Sequence, residues 1–278
     1  MLLTLVLLAN TVAIPEKQFV PAPKSVAGLL SQAGFLCPWD KHVATLLRGE
    51  KGFELLRFSS KSTEKLGPLE APAEGLEFAN VWGACGDTLV VMSNLKTYLY
   101  QGTQLKKPEP WPWAIAGAAC DGFRVFLFPR LSPEPKSPGK EAAVKVLDLA
   151  SNQEDVWLSS PPREKPEDPL PVYFTVTGAL TKSGKLWVVG IYSGKVWLFS
   201  KQGNLIGEHQ LPADAVPKAI GEEEQAVLRS QLEAHVTGDA TRKRPHQVQT
   251  LVPTRKVGVK SLGTWEETLV VLTQNTVP

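Results

Sequence analysis

The sequence predicts an all-β chain, a β-propeller of four-stranded antiparallel blades with an inserted surface helix. Three observations predict it. One strand–turn–strand phrase recurs along the 278 residues, four times in full and once in part. The recurrences have the roughly 35- to 45-residue period of a propeller blade, a unit that buries its faces only against its neighbours. The opening strand of each unit is built from small residues, as strands crowded around a central channel must be: Gly83 and Ala84, Ala116 to Ala119, Gly178 and Ala179. A sandwich also has many short strands, but it does not repeat one phrase in register.

In chain order, the first thirteen residues, MLLTLVLLANTVA, place the apolar run Leu5 to Ala9 behind Leu2 and Leu3, with small Thr11 and Ala13 before Ile14. This is the pattern of a secretory signal peptide over 1–13, cleaved before Ile14, although its n-region has no Lys or Arg. It implies a periplasmic or extracellular protein, cytoplasmic if the N-terminus stays uncleaved. The run is well short of the roughly 20 residues of a helical membrane span. Residues 14–278 then form the propeller domain.

The first unit turns at Asp40-Lys41 between short strands, with Val43 to Leu47 and Phe53 to Phe58 as central strands and Ser59 to Ser62 as the outer turn. In the second, WGACGDTLVVMSNLKTYLYQGTQL, Gly86-Asp87 is the turn, and Leu89 to Met92 and Thr97 to Tyr100 are the central strands. The third, AGAACDGFRVFLF, turns at Asp121-Gly122 and resumes at VKVLDLASNQEDVW after a Pro- and Lys-rich loop insertion at 129–140, with its outer turn at Ala150 to Asn152. Residues 161–171, PPREKPEDPLP, cannot be a central strand because proline donates no ladder hydrogen bond, so they form an extended connection between blades. The fourth unit, from Val176 to Pro212, is the clearest. It carries a polar turn at Lys182 to Gly184, a hairpin turn at Tyr192 to Lys195 and a tight turn at Gln202 to Asn204.

A helical insertion follows at 213–256. Ile220, Val227, Leu228, Leu232 and Val236 share one helical face, and Glu222, Glu223 and Glu224 sit where the dipole favours negative charge. A fifth unit, SLGTWEETLVVLTQN, begins near Val259 and stops within a blade at Pro278, the pattern of a truncated open reading frame.

The phrase SGKLWVVGIYSGKVWLFSKQGNLIGE, from Ser183 to Glu208, resembles a blade of the NHL-repeat and gluconolactonase-like six-bladed proteins. It is also similar to the tryptophan-docking repeats of pyrroloquinoline-quinone-type propellers. The resemblance runs from about Phe35 to Asn275 and rests on motifs that specify a blade and not a ligand. The Asp or Asn usual at the turn before the second strand is present as Asp87 and Asp121 but replaced by Ser183 and Glu266. The resemblance implies six to eight blades. Its gluconolactonase-like branch implies a divalent cation held in the channel by Glu, Asp and Asn, for which Asp87 and Asp121 occupy suitable turns; the bland reading is that turn aspartates cap backbone N–H groups.

Charge excludes one class of partner. With 30 Lys plus Arg against 28 Asp plus Glu, the net charge of +2 gives no basic face for a phosphate backbone, and nucleic acid is not expected. Cysteine supplies three residues, Cys37, Cys85 and Cys120, an odd number and no disulfide framework. All three are placed just before the turn of a repeat. A soft-metal thiolate cluster is one reading and small-residue packing the stronger one, and the spacing matches no zinc motif. His42, His209, His235 and His246 stand in unrelated contexts, and no nucleophile elbow or phosphate-cradling loop is present. The eight tryptophans, Trp39, Trp82, Trp111, Trp113, Trp157, Trp187, Trp197 and Trp265, recur at equivalent strand positions and are expected mostly between blades. Arg242-Lys243-Arg244 reads as a solvated loop. No catalytic, metal or cofactor residues are assigned. The expectation is therefore a non-enzymatic module that binds a protein or small-molecule ligand at the channel, with a metal-dependent lactonase or related hydrolase as the alternative.

Overall fold

The computed structural model describes residues 36–131 apart from 41, 51, 60, 61 and 108, then 141–162 and 171–212, and beyond these 216, 221–223, 225–227, 230, 259–265 and 267–273. Four consecutive meanders make up most of it. β1 (Cys37–Trp39), β2 (His42–Gly49), β3 (Gly52–Phe58) and β4 (Thr63–Pro68) form blade 1 in that spatial order. Blade 2 holds β5 (Asn80–Cys85), β6 (Thr88–Ser93), β7 (Lys96–Gln101) and β8 (Gln104–Leu105). Blade 3 holds β9 (Ile115–Cys120), β10 (Arg124–Pro129), β11 (Ala142–Asp148) and β12 (Glu154–Ser159), and blade 4 holds β13 (Val176–Leu180), β14 (Leu186–Gly190), β15 (Lys195–Phe199) and β16 (Leu205–Gln210). β17 (Val259–Trp265) and β18 (Thr268–Thr273) pair as an antiparallel hairpin, with β17 packed beside β13 as the other first strands pack beside one another.

What makes these sheets propeller blades is the packing of their first strands. Each blade sets its innermost strand beside that of the next, parallel and in register. A Cβ on Gly83 of β5 would sit 3.0 Å from the Ala118 side chain of β9, and one on Gly117 of β9 would sit 2.6 Å from Thr177 Oγ1 of β13. Thr264 Oγ1 of β17 donates to the Leu180 carbonyl at the end of β13 (2.5 Å). The small residues seen in the sequence are required here: a side chain on Gly178 would collide with the Phe128 ring and the Trp187 carbonyl.

The core is correspondingly divided into seams rather than pooled in one place. Leu55, Val81, Leu89, Tyr98 and Tyr100 fill the space between blades 1 and 2. Val90, Leu99, Ile115, Val125 and Leu127 fill that between blades 2 and 3, and Phe126, Phe128, Val188, Trp197 and Phe199 that between blades 3 and 4. Trp187, Val189, Val196, Leu211 and Leu269 join blade 4 to the β17–β18 hairpin. The central strands are apolar on both faces because each face meets a different seam, as β14 (Leu186–Gly190) shows by being buried throughout.

Strand boundaries depart little from expectation. Pro129 is the last residue of β10 and not the first of a loop, and Pro171 opens a 3₁₀ turn, Pro171–Phe174, that leads into β13. Residues 132–140 and 163–170 of the two expected insertions lie outside the described residues, as does most of 213–256. Of the expected helix, residues 222, 223, 225–227 and 230 are helical, and Gln225 N donates to Gly221 O (2.9 Å). Val227 is 56% exposed, whereas Val216, at the start of the same insertion, packs against the blade 4 seam. Among the described residues no helix is long and apolar enough to cross a membrane.

Candidate functional site

An antiparallel meander puts its turns alternately at its two ends, so parallel inner strands divide the connections between two faces. At one face every turn is tight: around Asp40, Gly86-Asp87, Asp121 to Phe123 and Thr181 to Lys185 on the inside, and near Ser59, Gly102, Asn152 and Gly203 on the outside. At the other face the described strands end where the connections between blades begin: after Pro68, after Leu105, after Ser159 and after Gln210, as well as at the blade 3 hairpin between Pro129 and Ala142. All of the long segments therefore leave from one side. In repeat folds the face that carries the insertions is generally the one that binds, because loops vary while the strand scaffold fixes their position.

Two clusters of described residues form this loop face. On blade 2, Ser93 Oγ accepts from Glu77 N (2.8 Å) and donates to Glu77 O (2.6 Å), holding the 69–79 connection to the β6–β7 hairpin. Tyr98 donates its hydroxyl to Glu74 Oε1 (2.5 Å), and Lys96 Nζ pairs with the same oxygen (2.8 Å). The Lys96 and Tyr98 hydrogen bonds hold the Glu74 carboxyl below its ordinary range, while burial and Glu74 push the Tyr98 phenol up. Phe78 and Leu95 sit beside this lattice with φ of 52° and 61°, and are 82% and 70% exposed. Between blades 3 and 4, buried Thr175 is the hub. Its Oγ1 accepts from Leu131 N (3.4 Å), its carbonyl accepts from Ile191 N (3.0 Å), and its own N–H donates to Val172 O (3.1 Å). Arg130, Tyr173 and Tyr192 each adjoin one of these partners or the hub's own turn, so their backbones are anchored around the same buried threonine. The two tyrosine rings meet edge to face at 5.6 Å and 88°. Sequence reasoning missed all three residues; the available signal was that both tyrosines fall outside strands, where the packing of a seam does not call for an aromatic ring.

The tight-turn face is engaged in holding blades together. Cys85 and Cys120 form a disulfide across adjacent inner strands, with Cα atoms 5.9 Å apart. This corrects the expectation that the cysteines only pack. The residues sit at equivalent ends of β5 and β9, opposite Thr88 and Val125 respectively, so the blade period itself brings them together. Cys37 does not share that position. It pairs with Ala44, while Trp39 opposite His42 stands at the strand end, so the third thiol is two residues deeper in the fold. It is buried, and burial pushes its pKa up to about 12, keeping it protonated.

The two turn aspartates have separate partners. Asp87 Oδ2 accepts from Gln101 Nε2 (2.7 Å). Asp121 caps the N–H groups of Phe123 (3.0 Å) and Arg124 (2.8 Å) and takes two bonds from the Arg124 guanidinium (3.2 and 2.7 Å). Burial raises the Asp121 pKa, but those bonds together outweigh it and hold the carboxyl below the usual range. Arg124 also donates to the Lys201 carbonyl (2.5 Å) and lies over the Phe126 and Trp157 rings, so it too is committed to the blade 3–4 seam. At the turn of the last hairpin, Glu267 accepts from Ser183 N (3.0 Å), Ser183 Oγ (2.7 Å) and Lys185 Nζ (3.3 Å).

Of the expected candidates, the tryptophans with described side chains are seam residues. Trp39 Nε1 donates to Gly86 O (2.7 Å) and Trp187 Nε1 to Glu267 O (3.2 Å), each reaching the turn of the next blade. Trp157 packs on Phe126 and Phe199, Trp197 on Phe174, and Trp82 in the blade 2–3 seam. Trp111 donates to Glu154 Oε1 (2.6 Å) under Lys107, and Trp113 stacks beside it at 5.8 Å. The side chain of Trp265 lies outside the described set, as do His235, His246, Ser183's counterpart Glu266 and the Arg242 to Arg244 run. His42 is half-buried at the start of β2, and His209 lies 6.1 Å from Trp187 on the outer strand of blade 4. Among the described residues no three His, Cys, Asp or Glu side chains come close enough to hold a metal ion.

No protein-family model matches the chain, and no curated protein does. Solved structures align to it at low identity. A member of the duf4221 family from Bacteroides vulgatus aligns at 11% identity over 72% of this chain and 64% of its own, with a TM-score of 0.44. AztD from Citrobacter koseri aligns at 12% identity over 63% and 46%, with a TM-score of 0.39. An auxiliary nutrient binding protein from Bacteroides thetaiotaomicron aligns at 10% identity over 69% and 45%, with a TM-score of 0.40. The chain spans about half the length of the latter two proteins. At these values the alignments carry no functional argument, and the fold stands on its own sheet order, inner-strand register and seams.

Proposed function

We propose that the chain is an exported, non-enzymatic propeller module that binds its ligand on the loop face. The observation that carries this reading is the one-sided departure of the long connections: the tight-turn face is occupied by blade-to-blade ties, and the strand ends that lead into the long connections are at the other. Export is supported by two independent features, the apolar N-terminal run ending before Ile14 and the Cys85–Cys120 disulfide, since such bonds persist in oxidising compartments. The lactonase reading is weakened because its two aspartates already serve Gln101 and Arg124.

A thermal-shift screen tests the reading. Protein taken from the envelope fraction of a bacterium should have an intact mass that begins at Ile14, and is offered sugars, amino acids, nucleotides and divalent ions. A ligand at a hundredfold over its Kd adds about 2.7 kcal/mol to the folded state. At least one organic ligand should raise the Tm, and that rise should vanish in the Tyr173→Ala/Tyr192→Ala double variant, while EDTA, Ca²⁺, Mn²⁺ and Zn²⁺ leave it unmoved. A rise of several degrees with one of these ions, abolished by Asp87→Ala or Asp121→Ala, would overturn the proposal in favour of the hydrolase.

A further inference from the structure

We infer that Arg130, Tyr173 and Tyr192 form an anion-and-ring recognition site at the junction of blades 3 and 4, one that takes a small ligand bearing a carboxylate next to a planar or sugar ring. The inference rests on the loop-face reading and deepens it by naming the ligand chemistry.

Three separate segments supply the residues, and the buried Thr175 hub fixes all three. Arg130 follows β10, and its N–H is anchored on Ala114 O (2.8 Å); the next residue, Leu131, donates to Thr175 Oγ1 (3.4 Å). Tyr173 lies in the 3₁₀ turn Pro171–Phe174, closed by the bond from Thr175 N to Val172 O (3.1 Å). Tyr192 follows Ile191, whose N–H donates to Thr175 O (3.0 Å). A site assembled from rigid backbone in this way is set before ligand arrives, which lowers the ordering cost of binding.

The chemistry of the three side chains is complementary. Edge-to-face packing at 5.6 Å and 88° locks the tyrosines against each other, yet both stay half-buried and so keep ring surface accessible. Stacking against such a surface suits sugars and aromatic rings. Arg130 is exposed, and among the described residues no carboxylate pairs with it. Its field reaches the Tyr192 phenol, and burial, which acts more strongly, keeps that phenol protonated as a donor. A guanidinium fork whose field reaches a hydroxyl donor suits a carboxylate, and the fork geometry makes Arg better than Lys at it. The other basic side chains of this side of the fold are less suitable: Lys96, for instance, is paired with Glu74.

Isothermal titration with two matched pairs, galacturonate against galactose and benzoate against benzyl alcohol, tests the inference. In at least one pair the acid should bind tenfold or more tightly than its neutral partner. Arg130→Met should erase that margin and leave the neutral partner's affinity unchanged, Arg130→Lys should keep part of it, and Tyr173→Ala should weaken both members of the pair. Because the Arg130 side chain is exposed, its replacement should leave the Tm in place, and Phe123→Ala on the opposite face serves as a control that leaves binding unaltered. Acids that bind no better than their neutral partners, or a margin that survives Arg130→Met, would sink the inference. If the ligand screen meanwhile finds a neutral compound whose effect depends on Tyr173 and Tyr192 but not on Arg130, the loop-face reading stands and only the anion assignment falls.

Discussion

The seam between blades 2 and 3 and the seam between blade 4 and the β17–β18 hairpin tie together the same structural positions by different chemistry. In the first, the ends of two inner strands are joined covalently by Cys85–Cys120. In the second, the turn of the next blade is held by hydrogen bonds: Glu267 takes three from Ser183 and Lys185, and its carbonyl takes one from Trp187. The described apolar side chains are Val90, Leu99, Ile115, Val125 and Leu127 buried in one seam, and Leu269 with partly buried Val271 on the hairpin side of the other. The covalent tie acts by restricting the unfolded chain and is indifferent to salt and acid. The polar tie depends on a carboxylate whose side chain is 47% exposed, so solvent and ions compete with it.

The largest effect that separates the two seams should come from the Cys85→Ser/Cys120→Ser double variant. The bridge closes a loop with a sequence separation of 35, for which chain-entropy loss predicts roughly 4 kcal/mol of stabilisation. Urea unfolding should show that loss, and the native protein denatured without reductant should titrate one thiol, Cys37. Two or more titratable thiols would mean that the bridge is not formed.

A smaller loss, about 1 kcal/mol, is expected for Trp187→Phe, which keeps most of the ring packing and removes the N–H that reaches the Glu267 carbonyl. Trp39→Phe, which removes the matching bond to Gly86 between blades 1 and 2, should cost a similar amount. A much larger penalty at Trp39 alone would show that the two ties are not equivalent.

The smallest effect distinguishes the seams by pH. The Ser183 hydroxyl first, joined by the Ser183 N–H and Lys185, holds the Glu267 carboxyl below its ordinary value and outweighs the opposing effect of burial. A depressed folded-state pKa gives stabilisation that is complete above the unfolded value, near 4.3 for Glu, and is lost as pH falls through the folded value. Hydrogen exchange between pH 6 and pH 3 should therefore loosen β17 amides relative to those of β9, and Glu267→Gln should reduce that difference at both low and high salt. Equal loosening of β9 would show that the disulfide does not protect its seam from acid.

Much of the scaffold was legible in the sequence because blades are local. Each turn in the phrase, from Gly86-Asp87 to Gln202 to Asn204, lies between strands that pair with their immediate neighbours, so hydrophobic pattern and turn chemistry point to the same hairpins. The candidate site was not legible. Arg130, Tyr173 and Tyr192 come from two different blades and the connection between them, and nothing in their spacing announces that Thr175 gathers them. The cysteines fall between these cases. The expectation placed all three at strand ends, which holds for Cys85 and Cys120, but Trp39 takes that position in blade 1 and leaves Cys37 deeper and reduced.

By itself the sequence determined the strands, their order within each blade and the need for small residues on the innermost one, since these follow from side-chain periodicity and from backbone conformations that Gly, Asn and Asp tolerate. The tertiary structure alone decided which cysteines are joined, which tryptophans reach the next blade and which face gathers the long loops. Those outcomes depend on the parallel register of inner strands from successive blades, a relation between residues far apart in the chain that no local propensity encodes.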